Sequence, residues 1–494
     1  MKIKYIIISA LVLSFSAIQS CNDRLDINID PNAPSEVPEN LILPAILSNF
    51  SYEVIGGGAV RTTSLWSKHL ARAVPGNHEG LYTLTSNDAN NLWRSFSYID
   101  VLQNCKVLIE KATENENYNY SAIAKIIFAW NMSIITDLYG DAPLSDAFKG
   151  VDGVIKPTYD SQEDIFKQIQ QMLDEAIDEA GRGTGIVPGN DDFVYGGKME
   201  NWQGLARTLK ARFHLRLSNA PGYDAATQAD LALQALDAGA ITASSAPSYA
   251  YVNAAGSENP WYQFAIDGKW DDRDRPSLYY TNMLLDSDDP RIAYQVSQVE
   301  SGDNEGKYVG ITNNPMPSPG TNFSQINSFY SAADAPLYWL VYAEVPFIRA
   351  EAEFLKAGKS VNQSVIDAYV AGITASMELY GIESGDYAAY LSDNALSNNP
   401  TTAYNQIMTQ KYIANYLQIE PYNDFRRTGF PELPINNEMY PGSTTLETEP
   451  VLDIIPLRFP YPSSEWQYNE DNIPAGFPAG YLQAMRQPVW WDAN

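Results

Sequence analysis

The residue patterns that would indicate a metal-dependent reaction or a metal site are incomplete in this 494-residue chain. His78-Glu79 lacks the second histidine, four residues on, that a zinc-protease helix requires. Asp286, Asp288 and Asp289 are followed by Pro290-Arg291, which favours a capped turn over a calcium loop. The sequence therefore predicts no metal site.

The glycine clusters also lack the neighbours that nucleotide chemistry needs. The Gly56-Gly57-Gly58 run is not followed by the Lys-Ser/Thr of a phosphate loop, and the glycines at 181, 183 and 185 follow a helical pattern where a dinucleotide site requires a strand. The 60 acidic residues always include plausible carboxylate pairs, so such pairs carry no specificity. The sequence predicts no catalytic residue and no cofactor.

Aromatic residues are the anomaly of the composition, with 32 Tyr, 10 Trp and 17 Phe. A ring face suits the apolar C–H face of a sugar, while a neighbouring Asp, Asn or Arg can bond the hydroxyls at its rim. The run Trp270-Asp271-Asp272-Arg273 has that combination, and Trp261-Tyr262 lies nearby without helical periodicity. For each ring, packing beneath a loop is the alternative.

The first twenty residues have the pattern of an export signal. Lys2 and Lys4 precede an apolar run that is too short to span a membrane. The run ends at Ile18-Gln19-Ser20-Cys21, which resembles the lipobox of bacterial lipoproteins, with Gln19 as a departure. Cleavage would make Cys21 the acylated first residue, and an ordinary secretory signal with an incidental Cys21 is the alternative.

Charge and cysteine content narrow the possible partners further. The formal net charge of −28 excludes a general nucleic-acid or anionic-membrane binder, because both need a basic surface. Cys105 is the other cysteine, and it lies in a helical pattern that favours a buried free thiol. No segment after the leader approaches twenty consecutive apolar residues, so the lipid is the predicted anchor.

The elements that position these side chains are mainly helices, since apolar residues recur at helical spacing and alternating strand patterns are few. Helices are predicted around residues 123–138, 165–177, 202–217, 340–354, 361–380 and 402–419. Residues 343–358 and 361–380 form the best candidate for a tetratricopeptide-type pair. Long irregular stretches at 244–276, 299–336 and 430–462 separate these blocks and favour a functional role.

Several stretches taken together resemble the SusD/RagB-like outer-membrane lipoproteins of Bacteroidetes, in the SusD-like 2 branch. The stretches are residues 25–45, the end of an early helix at 136–144, the Trp-plus-basic helix at 202–218, Asp289-Pro290-Arg291, residues 344–358, Gln410-Lys411-Tyr412, residues 424–429, and residues 458–462 with Glu465. They span nearly the whole chain after the leader. Most of their residues, such as Arg426 and Arg427 beside Asp424, are interpreted as fold-holding pairs.

The resemblance implies a mainly α fold in which tetratricopeptide-type helix pairs form a scaffold and long irregular excursions carry the ligand site. Residues 1–20 would be the signal and 21–494 a single domain. In such proteins the site comes from the segment after the first helices and from the central excursion, which are here residues 61–92 and 257–280. The predicted ligand-binding residues are Trp66, Arg72, Tyr82, Trp261, Tyr262, Trp270, Asp272 and Arg273.

The resemblance further implies a cell-surface protein, lipid-anchored in the outer membrane, that binds an oligomeric nutrient. It would deliver a glycan, or a peptide, to a SusC-type TonB-dependent transporter and would perform no chemistry. Two alternatives stay open, an α-helical glycoside hydrolase with an aromatic cleft and two carboxylates, and a purely structural surface protein.

Overall fold

The frame of the protein is a row of helices that pack on one another largely in chain order. The structure, a computed structural model, describes residues 37–73, 79–267, 274–314, 320–436, 444 and 451–492. The α-helices are α1 (Glu39–Asn49), α2 (Gly58–Trp66), α3 (Asn104–Glu114), α4 (Tyr118–Tyr139), α5 (Gln162–Ala180), α6 (Met199–Arg216), α7 (Ala225–Asp237), α8 (Pro260–Ala265), α9 (Leu278–Asp286), α10 (Ile292–Gln295), α11 (Ser328–Ser331), α12 (Glu344–Lys356), α13 (Gln363–Leu379), α14 (Ser384–Asp393), α15 (Pro400–Ala414), α16 (Glu420–Thr428), α17 (Ser463–Tyr468) and α18 (Tyr481–Ala484). Two π-helical segments, Phe50–Ile55 and Asn91–Gln103, continue α1 and lead into α3.

The strands are short and pair in two antiparallel ribbons. They are β1 (Leu70–Arg72), β2 (Ser248–Tyr249), β3 (Asp274–Pro276) and β4 (Leu337–Tyr338). β1 pairs with β3 and β2 pairs with β4. The fold is therefore mainly α, as the sequence predicts.

Consecutive helices α3 to α7 each pack on the next, and α7 then packs on α12, which packs on α13. The chain between α7 and α12 is an excursion that leaves the row and returns to continue it. The predicted pair at 343–358 and 361–380 is confirmed as α12 and α13. One cluster of buried apolar side chains extends through these helices, from Ile42 to Trp491.

The helix ends follow local chemistry. The side chain of Ser161 accepts a hydrogen bond from the Asp164 backbone N–H and begins α5. Gly140 ends α4 with a φ of 80°, where a Cβ would lie 3.0 Å from Nη1 of Arg458. The helix predicted at 402–419 corresponds to α15, which ends at Ala414, and α16 begins beyond the predicted range, at Glu420.

By length and composition α4 could cross a membrane, contrary to the prediction that no segment after the leader is apolar enough. Within the protein, however, 94% of its most apolar window is buried. Such burial is typical of a core helix in a protein that folds in water.

Candidate functional site

The two segments predicted to carry the site lie side by side in the structure. β1 and β3 pair antiparallel, with Leu70 opposite Pro276, Ala71 opposite Arg275 and Arg72 opposite Asp274. The backbone N–H of Ser277 also donates to the backbone oxygen of His69, at 3.1 Å. This ribbon joins residues 61–92 to residues 257–280.

A buried carboxylate locks the ribbon. Asp274 is fully buried and accepts hydrogen bonds from Nε of Arg61 at 2.8 Å and from Nε of Arg72 at 2.7 Å. Burial alone would raise the pKa of Asp274, but the two arginines hold it lowered to about 2. Arg72 also donates to Glu79 at 2.8 Å, so its guanidinium is committed to carboxylates within the protein.

Three of the predicted ligand-binding rings lie in the interior of the protein, whereas the sequence analysis expects each of them to offer a free face to a ligand. Trp66, Tyr82 and Trp261 are 0%, 0% and 1% exposed. Trp66 packs against Tyr422 and Phe459, with ring centroids 5.4 and 5.0 Å away. In this conformation none of the three rings offers a face to a ligand, and packing beneath the loops is the interpretation that the structure favours.

The physical reasons differ between the two tryptophans. Trp66 is the last residue of α2, a helix that is buried on nearly all sides, so its ring packs in the interior. Trp261 lies in the first turn of α8, where the Asn259 side chain caps the helix by accepting from the Trp261 backbone N–H at 2.7 Å. The expectation that Trp261-Tyr262 lies in an irregular loop is therefore wrong.

Of the remaining predicted residues, one lies partly at the surface and the others lie outside the described residues. Tyr262 is half-buried on α8 and keeps an accessible edge. Trp270, Asp272, Arg273, His78 and the predicted lipidation site Cys21 lie outside the described residues. Their roles stay predictions.

His69 holds the ribbon to α15 and is not available to a ligand. Burial lowers its pKa to about 3, so the imidazole is neutral at physiological pH. Its Nδ1 accepts from the backbone N–H of Leu417 at 3.3 Å, which leaves Nε2 to donate to the backbone oxygen of Tyr412 at 3.2 Å. Within the described part of the chain, no group of three His, Cys, Asp or Glu could hold a metal ion.

An open depression lies on α9, the helix that directly follows β3. Tyr279, Asn282, Met283 and Asp286 line it, with a volume of about 540 Å³. The Tyr279 hydroxyl donates to the backbone oxygen of Glu432 at 2.9 Å, which fixes the ring at the edge of the depression. A ring beside an amide and a carboxylate can contact both the apolar face and the hydroxyls of a sugar.

The segment predicted to carry the site, residues 257–280, includes Tyr279 but not its three neighbours on the depression. The signal was present, because residues 279, 282, 283 and 286 recur at the i, i+3, i+4, i+7 spacing of one helix face. We call this group, with the β1–β3 ribbon beside it, the α9 surface.

The family is shown by a match that covers most of the chain. The model of the SusD-like_2 family, described as "Starch-binding associating with outer membrane", matches residues 31–462. The chain therefore belongs to this family and is a SusD/RagB-like protein of Bacteroidetes, as the sequence resemblance implied.

Solved structures agree with the family match in their fold. A chitin-binding protein shares 26% identity, with a TM-score of 0.74 over 92% of this chain and 100% of its own. A SusD homologue from Bacteroides uniformis shares 25% identity with a TM-score of 0.71, and covers 92% of this chain and 99% of its own. A chitin-binding SusD homologue from Flavobacterium johnsoniae shares 23% identity with a TM-score of 0.72, over 92% and 98%. None of the curated proteins matches this chain.

Proposed function

We propose that this protein binds an oligomeric glycan at the bacterial surface and delivers it to a SusC-type TonB-dependent outer-membrane transporter. The observation that carries the proposal is the fold shared, over 92% of this chain, with a chitin-binding protein at 26% identity. The α9 surface supplies the aromatic, amide and carboxylate groups that such a ligand needs. A peptide is the second ligand class that the sequence leaves open.

The lining of the depression on α9 argues against the hydrolase alternative at this place, because Asp286 is the one carboxylate among the described residues that line it. A glycosidase needs a protonated carboxyl and a second carboxylate at the same glycosidic bond. Burial raises the pKa of Asp137 to about 6, but this side chain is enclosed against Arg216 and does not reach a surface. Burial and the neighbouring Asp100 raise the pKa of Glu53, which does not line the α9 surface.

The test uses purified protein that begins after Cys21, together with a panel of neutral glycans that includes N-acetylglucosamine oligomers, and a panel of peptides. We expect calorimetric binding of at least one glycan and no change in the glycan after long incubation, measured by mass spectrometry. Glycan fragments would establish the hydrolase alternative. Binding confined to peptides would replace the ligand class, and the absence of binding to both panels would contradict nutrient capture.

The mature chain, residues 21–494, is proposed to be one domain anchored through acylated Cys21. Replacement of Cys21 by Ala should release the protein from membranes in cells that lack the partner transporter, because docking on the transporter would otherwise retain it. Immunoblots of membrane and soluble fractions measure the release. A variant that stays membrane-bound without the transporter would contradict lipid anchoring.

A further inference from the structure

A second aromatic cleft lies on elements that the α9 surface does not use. It opens between the π-helical segment Asn91–Gln103, the loop after α4 and helix α17, with a volume of about 370 Å³. Among the described residues, none lines both this cleft and the α9 surface. We call it the α17 cleft.

The floor of the α17 cleft is a fixed group of rings. The ring centroids of Trp93 and Tyr98 lie 5.3 Å apart, and those of Tyr98 and Phe148 lie 5.9 Å apart. The Tyr98 hydroxyl donates to the backbone oxygen of Pro143 at 2.6 Å, and Trp93 packs against Tyr139 at 4.9 Å. These contacts hold the floor in place before any ligand arrives, so little ordering is needed on binding.

Apolar side chains at the rim are exposed to an unusual degree. Tyr468 is 66% exposed, Ile155 is 84% exposed and Ile99 is 48% exposed, and all three line the cleft. Apolar groups that stay in water around a concave surface are typical of a binding site. Tyr468 stands on α17 as an accessible ring beside the fixed floor.

Polar groups around the cleft are free to bond a ligand. The side chains of Arg94 and Gln103 make no hydrogen bond or ion pair with any other described residue.

The Glu465 carboxylate, on one side of the cleft, is held in position by its neighbours. Glu465 Oε2 accepts from the Tyr159 hydroxyl at 2.8 Å and from Nδ2 of Asn469 at 3.1 Å. One carboxylate and one guanidinium, those of Glu465 and Arg94, give the cleft no excess of either charge. Apolar rings with separate donors and an acceptor match a pyranose, which has apolar faces and a rim of hydroxyls.

We propose that the α17 cleft is a second carbohydrate site, which holds neutral pyranose units while the α9 surface holds others. The inference rests on the proposed function, because it adds a second site for the same class of ligand. A glycan long enough to span both sites would be retained more strongly than by either site alone, since the second contact forms at high effective concentration.

Hydrogen–deuterium exchange measured with and without an N-acetylglucosamine hexamer locates both sites in one experiment. We expect slower exchange in residues 91–103 and 463–469 as well as in residues 278–286. The Tyr468→Ala variant should lose protection only in the α17 cleft, with the half-saturating hexamer concentration there raised about fivefold to tenfold. Thermal melts should be unchanged, because the Tyr468 ring is mostly exposed.

Phe193→Ala is the matched control, since Phe193 is a 46% exposed ring that does not line the cleft. It should bind as the unaltered protein does. Protection confined to the α9 surface, or equal protection of the cleft in Tyr468→Ala, would overturn the second site alone. The absence of protection and of calorimetric binding with every glycan of the panel would overturn the proposed function, and this inference with it.

Discussion

Buried ionic side chains join the segments that carry the family resemblance. Arg427 donates to the two Glu351 oxygens at 2.6 and 3.0 Å and to Asp424 at 2.8 Å. Arg212 binds both Glu344 oxygens, at 2.9 and 2.6 Å. Paired hydrogen bonds between arginine and carboxylate fix orientation as well as adding energy. The interpretation of Arg427 and Asp424 as a fold-holding pair is therefore confirmed.

Trp261 belongs to the core, so its replacement should reduce the stability of the protein, whereas replacement of a ligand-binding ring would reduce ligand binding. Trp261→Ala should lower the free energy of unfolding by about 3–5 kcal/mol, because a large buried ring leaves a cavity. Tyr262→Ala is the matched control, since its half-buried ring should cost much less. Urea titration followed by circular dichroism measures both. Equal stability of the two variants would contradict the burial of Trp261.

Two buried carboxyl groups, those of Asp492 and Asp137, predict how the stability of the protein depends on pH. Burial raises the pKa of Asp492 to about 7, although Arg426 opposes the shift, and raises that of Asp137 to about 6. Because Asp492 and Asp137 bind protons more tightly when folded than when unfolded, they should add stability as pH falls from about 8 to about 5. Buried His69, whose pKa is lowered to about 3, opposes this gain below about pH 6.5, because the unfolded state then binds a proton that the folded state does not. Below that range, Asp274 and the other carboxylates with lowered pKa reverse the trend.

Asp492→Asn should flatten the rise between pH 8 and 5 by on the order of 2 kcal/mol, since each pKa unit corresponds to about 1.4 kcal/mol. Urea titrations across the pH range measure it. Asp230→Asn serves as control, because Asp230 forms an exposed ion pair with Lys356. A profile that Asp492→Asn leaves unchanged would contradict the raised pKa.

At the scale of elements, the close approach of α12 and α13 depends on a residue without a side chain. A Cβ at Gly372, on α13, would lie 2.7 Å from the Phe347 ring of α12, and Phe347 is fully buried. Gly372→Ala should therefore lower the free energy of unfolding by about 1–3 kcal/mol through overpacking.

Gly385→Ala is the matched control for this contact. Gly385 lies in α14, and apart from its chain neighbours and the backbone of its own helix no atom lies within 4 Å of the position that a Cβ would occupy there. Alanine at this position should therefore be neutral or stabilising by up to about 1 kcal/mol. Denaturant titration compares the two variants. A similar effect of both substitutions would show that the α12–α13 contact is looser than the structure indicates.

Apolar spacing predicted the long helices because each has several turns over which the period repeats. β1 and β3 have three residues each, too few to show an alternation, and their pairing depends on residues far apart in the chain. The π-helical segment Asn91–Gln103, which carries Trp93 and Tyr98, changes the period within a helix. The spacing of apolar residues in α-helices could therefore not predict the α17 cleft.

At the scale of the molecule, the excursion between α7 and α12 explains why the repeat is hard to find in the sequence. The two helices pack together although residues 238–343 separate them. The excursion includes α8, β3 and α9, and Tyr280 of α9 packs against Tyr412 of α15, a helix that contacts α12. Sites on loops held by a rigid scaffold are common in proteins.

The net charge of −28 predicts the class of glycan that the whole molecule accepts. The basic side chains near the ribbon are already committed: Arg61 and Arg72 bind Asp274, Lys68 donates to the Tyr82 hydroxyl, and Arg275 donates to the backbone oxygens of Gly320 and Phe323. Among the described residues near the ribbon, no basic cluster is therefore left to offset the repulsion of polyanions by the acidic field.

A neutral hexasaccharide should accordingly bind with the same affinity at about 50 mM and about 500 mM salt, because no charge on the ligand is screened. A sulfated or uronic-acid oligosaccharide of equal length should bind at least about tenfold more weakly, and its affinity should rise with salt as the repulsion is screened. Calorimetric titrations at both salt concentrations measure the two trends. The opposite result, tight binding of the polyanion at low salt that disappears at high salt, would require a basic surface that the pairing of Arg61 and Arg72 with Asp274 argues against.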